Sequence, residues 1–315
     1  MSSQYSDICV LGAGGFLGSH LVAELAHCGC RVRAFDRHLP KNPLLTEAQR
    51  SQINNIEGDF FNPRDLDRAL NGCSVCFHLI STTLPQTSNV SPAQDVRQNL
   101  AGTLDMLDKA KELGVKKIVF SSSGGTVYGV PQTQLISEDH PSDPICSYGV
   151  VKLATEKYLL LYRELYGLDY TILRIANPYG PLQKTHALQG IIGVYLGKIL
   201  QDEALTVWGD GSVVRDYLYV GDVARAFVAA MGLETEHRIF NIGSGTGISI
   251  NEIITSLCQV TGKTITARYK KGRTFDVPYS VLDISRAKQE LGWEPQMPFE
   301  EGIKKTWDWL QTANF

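Results

Sequence analysis

This chain has little net charge, no second cysteine pair at zinc spacing to complete a metal site and no long apolar run, and each absence closes off a class of function. Thirty Lys and Arg against 33 Asp and Glu leave a formal charge of -3 over 315 residues. Without a basic field, a general nucleic-acid or polyanion binder is not expected, although local arginines can still hold a phosphate. The seven cysteines (Cys9, Cys28, Cys30, Cys73, Cys76, Cys146 and Cys258) are odd in number and scattered. Cys73-x-x-Cys76 has no companion pair and runs into an apolar, strand-like segment, so it reads as structural and no metal site is expected. No stretch reaches the ~18 apolar residues of a membrane span. The N-terminus shows no basic region followed by a long apolar run, so a cytoplasmic protein is expected.

What is present describes a globular chain. Hydrophobic residues make up 43% and charged ones 20%, enough to build a substantial core. The length suits one large α/β unit with a smaller attachment. Residues 7–11 are a short apolar run ending in Gly12-Ala13-Gly14-Gly15-Phe16-Leu17-Gly18, after which 19–28 read as a helix. A buried strand, a glycine turn and a helix N-terminus together form a diphosphate cradle, because glycines let the backbone approach and free amides face the anion. The glycines repeat at threes (Gly12, Gly15, Gly18), and position 17, where the older fingerprint has glycine, is Leu17. A second strand, 31–35, ends in Asp36, whose carboxylate accepts from ribose hydroxyls and repels a 2′-phosphate. That favours NAD over NADP, a preference that Arg33 and Arg37 soften.

Further along, residues 38–55 are polar and irregular, a surface excursion. Asp59-Phe60 follows a short strand; the pair meets an adenine through carboxylate and ring face, or it is a capping turn, and both readings stand. Val75 to Ile80 is a fourth strand with His78 inside it, read as a satisfied core histidine. A helix over 92–113 carries Asn99 beside an apolar face. The fifth strand, 117–120, runs into Ser121-Ser122-Ser123-Gly124-Gly125-Thr126-Val127-Tyr128-Gly129. Ligands of a doubly wound sheet bind beyond the carboxyl ends of its strands, so these hydroxyls point at the cofactor crevice. Tyr148 and Lys152 are one helical turn apart, which puts the ammonium beside the phenol and favours the phenolate. A serine donating to a substrate oxygen, a tyrosine taking its proton and a lysine lowering the tyrosine pKa make a coherent proton-transfer set.

At this point the sequence resembles the extended short-chain dehydrogenase/reductase family, within it the NAD-dependent nucleotide-sugar epimerases and dehydratases. The residues that carry the resemblance are the Gly12/Gly15/Gly18 loop, Asp36, the stretch from Ser121 to Gly129, Tyr148 with Lys152, Leu173-Arg174-Ile175-Ala176-Asn177-Pro178-Tyr179-Gly180-Pro181, and Arg215-Asp216-Tyr217-Leu218-Tyr219-Val220. The resemblance implies a doubly wound parallel sheet (residues 1–176 and 217–250) that binds NAD and a smaller α/β domain (177–216 and 251–315) that binds a nucleotide sugar. It assigns cofactor contacts to Gly12, Gly15, Phe16, Leu17, Gly18, Asp36, Asp59, Phe60, Leu79, Asn99, Tyr148 and Lys152. Its catalytic set is Ser123, Tyr148 and Lys152. Ser122 is the alternative hydroxyl, since the loop is a residue longer than in similar epimerases, but anchoring on the strand favours Ser123.

For the substrate, the resemblance assigns Ser123, Thr126, Tyr148, Asn177, Gln189, Trp208, Arg215, Arg273, Asp276 and Ser280, with Arg215 and Arg273 as the diphosphate clamp and Gln189 and Trp208 near the base. Family dehydratases place Asp and Glu after a Thr beyond the fifth strand, and this chain has Gly124 and Gly125 there. The loop is closer to that of UDP-glucose and UDP-N-acetylglucosamine 4-epimerases. Ser280 stands where epimerases limited to plain hexoses carry a tyrosine, which leaves room for an N-acetyl group. The run Tyr158-Leu159-Leu160-Leu161-Tyr162 is apolar all round, so a homodimer partner or the C-terminal domain is expected over the helix. Trp293, Phe299, Trp307 and Trp309 are expected in the smaller core. The expected activity is 4-epimerisation of a UDP-hexose through a 4-keto intermediate. The alternatives are a nucleotide-sugar reductase, dehydrogenase or dehydratase, and a non-catalytic NAD-binding protein.

Overall fold

A computed structural model describes residues 7–186, 189–233, 235–272 and 277–312. The strands are β1 (Ile8–Leu11), β2 (Val32–Asp36), β3 (Ile53–Glu57), β4 (Val75–His78), β5 (Lys117–Ser123), β6 (Asp169–Ile175), β7 (Asn177–Tyr179), β8 (Leu205–Trp208), β9 (Val214–Tyr219), β10 (Ile239–Ile242), β11 (Gly247–Ser249), β12 (Ala267–Lys270) and β13 (Tyr279–Ser280). Seven of them form one parallel sheet in the order β10-β6-β5-β4-β1-β2-β3. This is the doubly wound α/β architecture expected from the alternation of apolar runs with helical segments. Parallel strands need crossovers, and the helices between them cover both faces.

Alternation along the strands sorts the side chains into two cores. On β1, Ile8 and Val10 join Leu21, Leu25, Val223 and Phe227, while Cys9 and Leu11 join Leu107, Ile118 and Leu159 on the opposite face. The first face is covered by the helices Phe16–His27 and Val220–Met231, the second by Pro63–Leu70, Gly102–Glu112 and Ser147–Tyr166. Because Val220–Met231 and β10 pack on this sheet, the chain returns to it after β7, β8 and β9 have been laid down elsewhere. A third core around Tyr195, Leu196, Ile253, Ile303 and Trp307 belongs to the smaller lobe, where β7 and β11 flank β9 and β8 pairs with β12.

Two expectations are corrected here. The helix over 92–113 is three pieces, Pro92–Asp95, a π-helical stretch Val96–Ala101, and Gly102–Glu112. The wider turn is a common accompaniment of functional sites. Trp293 belongs to the large core, its indole N–H donating to Asp222 O at 2.9 Å, whereas Phe299, Trp307 and Trp309 do pack in the smaller one. A tryptophan goes where its N–H finds an acceptor as well as where its rings are covered.

Candidate active site

The glycine loop is built by close approach. Gly12 has φ +93°, a conformation that L side chains resist, and its amide and that of Ala13 donate to Phe35 O at 2.9 and 3.1 Å, folding the loop onto β2. A Cβ at Gly12 would sit 3.2 Å from the backbone of Leu79, and one at Gly18 would sit 2.0 Å from Gly12 O. Gly15 caps the helix Phe16–His27 without a side chain, so Phe16 and Leu17 open a bare N-terminus. Asp36, at the end of β2, accepts from the Gly14 amide at 3.0 Å and the Arg37 amide at 2.7 Å. Gly12, Gly15, Gly18, Leu79 and Asp36 are thus brought together, and they suit a dinucleotide: the uncapped amides of Phe16 and Leu17 at the helix start for a diphosphate, with a carboxylate beside the loop for a ribose.

Asp59-Phe60 divides differently from either reading. The Phe60 ring is buried, stacked on His78 at 5.5 Å between centroids and edge-on to Phe61. Its face is therefore spent inside the core and is not available to an adenine, a correction of that expectation. Asp59 is exposed and its Oδ1 accepts from the Phe61 amide at 3.0 Å, while Asn62 caps the following helix. His78 is a core residue as expected but only half satisfied: its Nε2 is 2.9 Å from Thr103 Oγ1, its Nδ1 is buried with no partner among the described residues, and burial pushes its pKa down to about 3.

Tyr148 and Lys152 lie in the first two turns of the helix Ser147–Tyr166. Lys152 Nζ is 5.5 Å from the centre of the Tyr148 ring, 4.7 Å from that of Phe120, and donates to Ser121 O at 2.8 Å. That bond ties the helix to the carboxyl end of β5. Both side chains line one recess together with Asn99, Asp95, His78 and Ser81. The electrostatics differ from expectation. Burial raises the Tyr148 pKa well above its ordinary value, with Cys146 and Asp95 adding to the rise, and brings Lys152 down to about 8 against the upward pull of Glu156 and Asp95. At pH 7 a lysine of pKa about 8 still carries its proton, but burial is the largest influence on the phenol and Lys152 does not offset it in the cofactor-free fold.

The three serines are sorted by strand alternation. Ser122 Oγ donates to Glu156 Oε1 at 2.5 Å in a buried pocket, where the Arg174 guanidinium also reaches Glu156 through bonds of 3.1 and 2.6 Å. Ser121 and Ser123 face the other way, and Ser123 is half-buried at the end of the strand. Its carbonyl accepts from the Thr126 amide at 3.2 Å, turning the glycine loop over it, while Thr126 Oγ1 is buried with no partner among the described residues.

The substrate-side residues lie mostly on the β9 sheet. Asn177 Nδ2 donates to Asp216 O at 2.9 Å from β7, and Ser280 on β13 pairs in register with Arg215. Arg215 Nη1 is turned onto the carbonyls of Val214 and Val277 at 2.8 and 2.6 Å. Trp208, at the end of β8, is 41% exposed with Lys270 Nζ 5.4 Å from its ring centre, and Gln189 is exposed. Arg273 and Asp276 lie outside the described residues.

Two groups had no role assigned from sequence. Glu156 and Arg174 form a buried ion pair under the serines, Arg174 standing out in the sequence only as part of the stretch 173–181. Asp95, four residues before Asn99, is fully buried and bonded to the residue preceding Tyr148.

Comparison with known proteins agrees with this geometry. The family model described as "NAD dependent epimerase/dehydratase family" matches residues 8–243. A putative UDP-glucose 4-epimerase of Methanocaldococcus jannaschii is 36% identical over 313 residues, 98% of this chain and 99% of that protein. The crystal structure of a UDP-glucose 4-epimerase with UDP-glucose from Thermotoga maritima superimposes with a TM-score of 0.89 at 36% identity, covering 97% of this chain and 98% of the other. The Thermus thermophilus UDP-glucose 4-epimerase in complex with NAD gives 0.89 at 31% identity, covering 98% of this chain and 100% of the other. With the glycine cradle, Asp36 and the Tyr148–Lys152 pair already in place, this chain belongs to the NAD-dependent epimerase/dehydratase family.

Proposed function

We propose that the protein interconverts UDP-hexoses at C4, UDP-glucose with UDP-galactose and the N-acetylated pair as well, by transient oxidation to a 4-keto sugar. The observation that carries this reading is the Tyr148–Lys152 pair, held by Ser121 O at the end of the strand that delivers Ser123, beside a dinucleotide cradle.

In this mechanism Tyr148 removes the 4-hydroxyl proton, Ser123 donates to the same oxygen, and Lys152 orients the phenol and holds positive charge beside it. NAD held by the glycine cradle and Asp36 would supply the hydride acceptor and donor, and the positive charge of its nicotinamide would favour the phenolate. Gly12, Gly15, Gly18, Asp36, Leu79 and Asn99 are assigned to cofactor binding, with Arg215, Asn177, Trp208, Gln189 and Thr126 on the substrate side. Anchoring the nucleotide through the smaller lobe lets the keto sugar turn over without leaving.

Elimination of water is disfavoured, because the stretch from Ser121 to Gly129 carries no carboxylate to serve as its general acid or second base. We also infer a homodimer. Val150, Leu160, Leu161 and Leu165 are 43–59% exposed along one side of the helix Ser147–Tyr166, an apolar strip that the described part of the C-terminal lobe leaves open and a second copy would cover.

The test is to incubate the protein with UDP-glucose, UDP-galactose and their N-acetyl counterparts without added cofactor. New isomers with no net change in nicotinamide absorbance are expected. Stoichiometric cofactor consumption would identify a reductase, and no turnover with any sugar nucleotide would identify a non-catalytic NAD-binding protein.

A further inference from the structure

The N-terminus of the helix that presents Tyr148 is held from elsewhere in the chain. Its cap residue, Cys146, makes no side-chain cap bond. Instead the Ser147 amide donates to Asn89 Oδ1 at 2.9 Å and the Tyr148 amide donates to Ser88 Oγ at 3.0 Å. The third tie comes from Asp95, which is fully buried and has no salt-bridge partner among the described residues. One of its oxygens accepts from Thr83 Oγ1 and Asn99 Nδ2, both at 2.7 Å, and the other from Ser147 Oγ at 2.7 Å. Asn99 in turn accepts from the Thr82 amide at 2.8 Å. One carboxylate therefore laces the loop after β4 to the residue that immediately precedes Tyr148.

We propose that Asp95 is a positioning residue for Tyr148, acting through Ser147 to fix the phenol in the recess and to lock the loop Ser81–Thr83 against it. A buried carboxylate with three donors and no salt bridge, only the longer-range field of Lys152, is costly unless its geometry is fully satisfied. Keeping such a group fits a requirement for register at the helix start, where an error of about 1 Å at the reacting atoms costs on the order of 100-fold in rate. Asp95 also acts electrostatically, raising the pKa of both Tyr148 and Lys152. The other groups around that pair are Cys146 before the helix, Glu156 further along it and His78 on β4.

This proposal rests on the reading of Tyr148 as the base. Its test compares Asp95→Asn, Ser147→Ala, Ser147→Thr and the Asp95→Asn/Ser147→Ala double variant, as NAD-loaded enzymes, for kcat, KM and pH profile of UDP-hexose interconversion, with amide hydrogen exchange at residues 147–149. Asp95→Asn and Ser147→Ala are expected to lower kcat by roughly 10- to 100-fold with KM unchanged. Both should speed exchange at 147–149, and the double variant should be no worse than the poorer single one. Ser147→Thr, which keeps the hydroxyl, should restore activity, and Asp95→Asn should move both limbs of the profile to lower pH. Full kcat with an unmoved profile, additive losses, or losses confined to KM would each overturn the proposal. If Asp95→Asn does not fold, the contrast between Ser147→Ala and Ser147→Thr decides. If the wild type turns over no UDP-hexose, the base assignment has failed, and hydrogen exchange still reports whether the clamp exists.

Discussion

Replacing Lys152 with methionine should destroy turnover and stabilise the cofactor-free fold. Lys152 is 5% exposed, and burial takes its pKa from 10.5 to about 8. At ~1.4 kcal/mol per tenfold change in proton affinity, the charged form destabilises the fold by roughly 3 kcal/mol. Methionine fills a similar volume without charge but gives up the bond to Ser121 O, which offsets about 1 kcal/mol. The variant should therefore be about 2 kcal/mol more stable near pH 7.

The pH dependence has a definite sign. Below pH 8 the lysine is protonated in both folded and unfolded chains, so the penalty is present in full. Between pH 8 and 10.5 the folded chain gives up its proton first, the unfolded chain binds more protons, and wild-type stability rises. Urea titrations of both proteins, stripped of cofactor, should show the methionine variant's advantage falling by about 3 kcal/mol across that window. A difference that does not vary with pH, or a less stable variant at pH 7, would refute this account of the lysine.

The remaining predictions concern the cradle, the serines and the sugar. Gly18→Ala puts a Cβ 2.0 Å from Gly12 O, so the loop must move, and NAD retention on gel filtration should fall sharply while the far-UV spectrum is kept. Ser123→Ala should lower kcat by about 100-fold or more with little change in stability. Ser122→Ala should leave kcat nearly intact but lower the urea midpoint, because it removes a donor from the buried Glu156–Arg174 pair. Ser280→Tyr should reduce turnover of the N-acetylated UDP-sugars far more than that of UDP-glucose, and equal loss on both would remove the argument from size.

The doubly wound sheet was legible because its signals are local: apolar runs of strand length, glycine turns after them and polar helix starts. The cradle and the Tyr148–Lys152 pair were legible for the same reason, each lying within a few residues. What escaped depends on contacts between distant segments. Asp95 meets Ser147 across 52 positions, and Ser122 meets Glu156 across 34, so neither pairing leaves a spacing to read. The Phe60 ring looked available because nothing in the sequence says that His78 and Phe61 will cover it. The lysine's adjacency to Tyr148 is visible in sequence, whereas the burial that raises the phenol's own proton affinity is not.

The central claim is that the sugar's own C4 hydrogen leaves as hydride and comes back to the other face within one binding event. UDP-glucose deuterated at C4, incubated in ordinary water with the enzyme and no added cofactor, tests it directly by NMR or mass spectrometry. The account predicts UDP-galactose that keeps the deuterium at C4. Loss of the label to solvent would contradict it.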